Sequence, residues 1–169
     1  MNKEKHKYSK IEFLKVVAEI LNNEEFKRRK NFPHHGDESV YDHSMKVAFL
    51  SYRWAKKLHL DAQSAAIGGL LHDFYDKPWQ DAEKPKRFRD MHGFVHAFEA
   101  YKNAKREFPH LMTPKIKNII IRHMFPLNIT SPKYAESWLV TMADKYVSMS
   151  VFARPKDLPM YLGLKKRKK

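Results

Sequence analysis

Five stretches of the sequence each set an imidazole or a carboxylate into an otherwise apolar, helix-periodic background. His72 and Asp73 stand side by side at the end of the run Ile67-Gly68-Gly69-Leu70-Leu71. His43 heads a run that continues with Val47, Leu50 and Trp54 at helical spacing. His92 and His96 are one turn apart and so project from one face. His123 ends the apolar run IKNIIIRH, and Asp144 sits among apolar neighbours in WLVTMADKYVSM. One such residue is ordinarily a core polar group satisfied by a neighbour, and His72-Asp73 alone reads equally well as a self-contained pair. Five segments doing this together are hard to satisfy by mutual pairing, because a buried polar group without a partner is costly. A divalent transition metal resolves the conflict, since imidazole nitrogens and carboxylate oxygens suit Fe, Mn, Co, Ni or Zn. One ion or two are compatible with this set. Two ions ~3.5–4 Å apart, sharing an aspartate, would activate water for phosphoester cleavage.

The elements that must position these groups are helices. Period-3.6 patterns recur, alternating Val/Ile/Thr strands are missing, and there are only 5 glycines in 169 residues. A first helix is expected from about Lys10 to Arg29, with Ile11, Leu14, Val17 and Leu21 on its inner face. A second starts at Ser39, whose hydroxyl can cap it with Asp42 at the third helical position. It carries Val47, Leu50, Trp54 and Leu58 inward. Asp61 caps a third, Ala62 to about Phe74, and a fourth runs from Met91 to Phe108. Thr113-Pro114 and Ser131-Pro132 each read as a cap followed by a first-turn proline. They open helices from Lys115 to His123 and from Lys133 to Val151. The fold class is therefore all-α, a bundle of about six or more helices around a metal site. One domain over 1–169 is expected: an N-terminal helix and turn (9–38), a metal-binding helical core (39–151) and an irregular basic tail (152–169).

Composition bounds the partners. With no cysteine, thiolate metal sites and disulfides are excluded, and a reducing compartment is the default. No apolar run approaches the ~20 residues of a membrane span, so a soluble, cytoplasmic protein without a membrane partner is expected. The 33 Lys and Arg outweigh 19 Asp and Glu by a formal +14, which attracts phosphorylated partners. The terminal KKRKK reads as a solvated tail or a nucleic-acid arm.

The ordered set His43, His72-Asp73, His92, His123, Asp144 resembles the HD-domain metal-dependent phosphohydrolase superfamily, in its two-metal H…HD…H…H…D form. YDHSMKVAFLSYRWAKKL is similar to the first-histidine helix, AAIGGLLHDFYDK to the His-Asp helix, HGFVHAFEA to the third-ligand segment, and VTMADKYVSM to the final-aspartate helix. The layout resembles small single-domain members more than the cyclic-dinucleotide branch, symmetrical diadenosine tetraphosphate hydrolases being among the former. The resemblance implies a first metal on His43, His72, Asp73 and Asp144, and a second on His92 and His123 with Asp73 bridging. His96 then stands where a small residue is usual, which leaves it as a substrate or supporting contact, or as the ligand in place of His92. His92 is the preferred ligand.

Two departures stand out. HD-x-x-K is missing, because Asp76 occupies the lysine's place and Lys77 follows it. The cyclic-dinucleotide GYP motif is also missing, RHMFPLN standing there instead. The resemblance implies hydrolysis of a phosphoester or phosphoanhydride of a nucleotide or related small molecule, with His72 and Asp73 at the chemical centre. Candidate cations for the phosphoryl oxygens are Arg122, Lys145, Lys77, Lys86, Arg87 and Arg89, and Trp79 or Phe88 could stack on a base. His34, His35 and Asp37 precede the first-histidine helix and fall at the rim, with His35 or Asp37 expected as substrate or supporting contacts. The rival readings are a nucleotide- or nucleic-acid-binding module with a structural metal, and a di-iron oxygenase.

Overall fold

The computed structural model describes residues 2–34, 38–76 and 92–152, with side chains for all of these except 2–9, 92–94 and 151–152. Seven α-helices occupy the described residues: α1 (Asn2–Asn22), α2 (Glu24–Lys27), α3 (Val40–Lys57), α4 (Ala62–Leu71), α5 (His92–Glu107), α6 (Pro114–Arg122) and α7 (Ala135–Phe152). They contain no strand, only one isolated antiparallel bridge between Pro33 and Ser39. No described helix is long and apolar enough to cross a membrane.

Side-chain caps set most boundaries. Ser39 Oγ accepts from Asp42 N–H at 3.1 Å and donates to Asp42 Oδ2 at 2.6 Å, closing the expected cap. Asp61 Oδ1 accepts from Ser64 N–H at 2.9 Å, and Thr113 Oγ1 from Ile116 N–H at 3.2 Å. The expected Lys10–Arg29 helix is instead divided: Asn23 Oδ1 accepts from Phe26 N–H at 2.9 Å and starts α2 afresh. Its expected inner face is also rotated. Phe13, Val17 and Ile20 are buried, while Ile11 and Leu14 are 43% and 37% exposed, because the large ring of Phe13 takes the core position. Val47 on α3 is buried as expected, but Leu58 is 60% exposed. The helix ends there: His59 takes a positive φ of 55° and Leu60 N–H bonds back to Ala55 O at 2.9 Å. Ser131-Pro132 caps nothing, since α7 begins at Ala135.

Helix α4 is apolar all round and almost wholly buried, and α1, α3, α5, α6 and α7 all pack against it. Two glycines allow the close approach. A Cβ on Gly68 would come within 2.5 Å of Ile119 Cγ2 and 2.9 Å of its Cβ, and one on Gly69 within 3.0 Å of the Ala48 Cα. Gly68→Ala is therefore expected to lower stability by about 1 kcal/mol. Overpacking costs roughly 1–3 kcal/mol and helix propensity returns at most about 1. A fall in the urea midpoint at unchanged slope would record it; an unchanged midpoint would mean that α6 gives way freely.

Candidate functional site

The C-terminal end of α4 delivers His72 and Asp73 into the middle of the bundle, and the other helices bring polar groups to meet them. His43 comes from the first turn of α3, His96 from α5, His123 from the end of α6 and Asp144 from the middle of α7. His43, His72, Asp73, His96 and His123 are all buried.

Asp73 is the centre. Its Oδ2 lies 3.3 Å from His72 Nε2 and 3.6 Å from His34 Nε2. Its Oδ1 lies 3.4 Å from His96 Nε2 and 3.6 Å from His123 Nε2. One carboxylate thus faces a pair of imidazoles on either side. On the Oδ2 side, Asp144 Oδ1 is 3.0 Å from His43 Nε2 and 3.7 Å from His72 Nε2.

Two imidazoles are oriented by the backbone. His72 Nδ1 donates to Gly69 O at 2.8 Å, and His123 Nδ1 donates to Ile120 O at 2.7 Å. Each bond occupies Nδ1 and turns Nε2 inward, the arrangement of a metal-binding histidine. His72 Nε2 is buried without a hydrogen-bond partner, close to two carboxylate oxygens but not bonded to either. His123 Nε2 sits 3.0 Å from His96 Nε2, a separation at which two lone pairs need a proton or a cation between them. The residues therefore fit a divalent cation. Among the described residues, three overlapping groups have ligand atoms within 4.8 Å of one another: His34, His43 and Asp73; His43, His72 and Asp144; and His72, Asp73 and His123.

Electrostatics follow from burial and charge. Burial alone would raise Asp73 and Asp144, yet their imidazole neighbours hold both well below the usual carboxylate range. Burial would lower His72, but the Asp73 and Asp144 carboxylates outweigh it and hold it well above its ordinary value. His123 is pushed down to about 3 by burial and by His72 and His96. His43 is lowered by burial, against its bond to Asp144.

Of the residues marked in the sequence, the structure brings together His43, His72, Asp73, His96, His123 and Asp144. His92 opens α5, and its side chain lies outside the described residues, as do His35, Asp37, Lys77, Trp79, Lys86, Arg87, Phe88, Arg89 and the tail 153–169. Lys145 reaches the edge of the cluster, Nζ 3.4 Å from His123 O. Arg122 does not share that surrounding. It lines a cavity of about 210 Å³ with Lys117, Asn118, Lys133 and Tyr134, none of them a cluster member. A helix turns about 100° per residue, so neighbours in sequence face different ways. Asp76, in the lysine's place, has a different occupation: Arg29 Nη2 is 3.3 Å away and Arg106 Nη2 3.7 Å. Arg29 is buried with its guanidinium 4.2 Å over the Phe74 ring, and Asn103 Nδ2 donates to Phe74 O at 2.9 Å. These contacts fix the chain immediately after Asp73. His34, which the sequence placed only at the rim through its position in FPHHGDES, instead stands against Asp73 and His43.

Residues 40–149 match the family model described as HD domain. No curated protein and no solved structure matches the chain.

Proposed function

Because this chain belongs to the HD-domain family, we propose that it is a metal-dependent phosphohydrolase. It cleaves a phosphoester or phosphoanhydride bond of a nucleotide or related phosphorylated small molecule. The observation that carries this reading is the placement of Asp73, one oxygen toward each of two histidine pairs. His43, His72, Asp73 and Asp144 would hold one divalent ion, and Asp73, His96 and His123 a second. His96 takes the place that the sequence resemblance gave to His92, because its Nε2 faces both Asp73 and His123. Such ions supply Lewis acidity and a water of lowered pKa.

The chain's own groups do the rest. The carbonyls of Gly69 and Ile120 keep the Nε2 atoms of His72 and His123 aimed inward. The α4 core excludes water from behind, and Arg29 and Asn103 stop the His-Asp segment from drifting. The Lys145 ammonium offers positive charge to the phosphoryl oxygens. The formal +14 charge favours an anionic substrate and extends to nucleic acid as a further partner.

A panel of nucleotides and phosphoesters, assayed with Mn, Co or Ni added to metal-free protein, tests the reading; silence across the panel with every metal would end it. In the assay that responds, Lys145→Ala should lower kcat roughly 10²-fold with metal uptake unchanged, whereas Arg122→Ala should leave kcat within about twofold. Equal losses in both variants would put the phosphate elsewhere.

A further inference from the structure

His34 lies outside the segment that matches the HD-domain family, residues 40–149, and outside the H…HD…H…H…D pattern. It nevertheless stands inside the cluster. Its ring is stacked on that of His43, centroids 4.0 Å apart and planes 18° from parallel. Its Nε2 is 3.6 Å from Asp73 Oδ2, and its side chain is only 11% exposed. Nitrogen atoms of His34 and His43 and an oxygen of Asp73 lie within 4.8 Å of one another, a spacing that one cation can span.

The segment that carries His34 is tied down by its main chain. His34 N–H donates to Glu38 O at 2.8 Å, and Val40 N–H donates to Phe32 O at 2.8 Å, around the Pro33–Ser39 bridge. Glu38 in turn pairs with Lys46 on α3 at 2.7 Å. The residues on either side of 35–37 are thus anchored to the same helix that carries His43. A ring held this way needs little further ordering to accept a ligand.

We propose that His34 is an additional protein ligand of the ion held by His43, His72, Asp73 and Asp144, supplied from the chain segment preceding the family-matched core. The inference rests on the metal-centre reading given above. With His34, each Asp73 oxygen has two imidazoles beside it, and the Oδ2 side gains a third nitrogen donor against two on the Oδ1 side. That donor set is richer in nitrogen, which favours borderline transition ions over Mg.

The test is calorimetric titration of the metal-free full chain with Mn or Co, comparing the unsubstituted protein with His34→Ala, His34→Gln and His96→Ala. Far-UV circular dichroism of each metal-free variant serves as the fold control. The expected result is two binding events in the unsubstituted protein. One should weaken by more than about 100-fold in both His34 variants, beyond the ~10–100-fold cost of losing a group that merely supports a ligand. His96→Ala should weaken the other event. Glutamine keeps an N–H for Asp73 but is a poor ligand, so restored affinity in His34→Gln would overturn ligation in favour of a hydrogen-bonding role. Affinities unchanged in both His34 variants would also overturn it. No uptake by the unsubstituted protein would overturn the metal-centre reading and this inference with it, whereas intact uptake insensitive to His34 defeats only the inference.

Discussion

Asp73→Ala is expected to remove hydrolysis altogether, by at least about 10³-fold, or roughly 4 kcal/mol of transition-state stabilisation. It should also remove the uptake of both ions. The reason is geometric: the two Asp73 oxygens face separate histidine pairs, so one substitution strips a ligand from each side. The isosteric Asp73→Asn should behave alike toward metal while disturbing the bundle less, because it keeps the shape and loses the charge. Single-turnover rates and metal content of the two variants would check this. A variant that retained one tightly held ion would show that Asp73 belongs to one side only.

Metal affinity is expected to rise with pH through the neutral range as ligand protons are released on binding. His72 holds one such proton. In the metal-free protein, burial would lower this imidazole, yet Asp73 and Asp144 hold it well above its ordinary value and so favour its charged form. An ion competes with that proton for Nε2. His123, pushed down to about 3, and His43, also lowered, are already neutral and release nothing. Above the folded value of His72 the affinity should level off. The same shifts set the stability of the metal-free protein. The raised His72 contributes stability that is complete below its unfolded value and lost as pH rises through its folded one. The lowered Asp73 and Asp144 contribute stability present above the unfolded carboxylate value and lost as pH falls through their folded ones. Added metal should therefore raise the melting temperature more at about pH 9 than at about pH 6. Titrations in buffers of different ionisation heat count the protons; no proton release, or an affinity indifferent to pH, would contradict this account.

The helical class and most of the cluster were legible in the sequence because both rest on local rules. Caps at Ser39, Asp61 and Thr113 are chemical signals within four residues, and all three operate as written. His43, His72, Asp73, His123 and Asp144 stand out because a polar group on an apolar stripe is costly. What needed three dimensions was the rest. His92 and His96 share a helical face, so periodicity cannot say which turn reaches His123; the fold sets His96 Nε2 3.0 Å from His123 Nε2, while the His92 side chain lies outside the described residues. His34 sits in a segment without periodicity, and only the Pro33–Ser39 bridge brings it over His43. Arg122 was drawn to the site by adjacency to His123, although consecutive helical residues point apart. The sequence shows that Asp76 stands in the lysine's place but not why; its carboxylate faces Arg29 and Arg106 and holds the chain behind Asp73.

The most direct measurement is the metal stoichiometry of the full chain, by calorimetric titration of metal-free protein with elemental analysis of the filled form. A bridging Asp73 predicts two transition-metal ions per chain, both lost together in Asp73→Asn. No bound ion, or uptake that Asp73→Asn leaves intact, would contradict the metal centre on which the proposed hydrolysis depends.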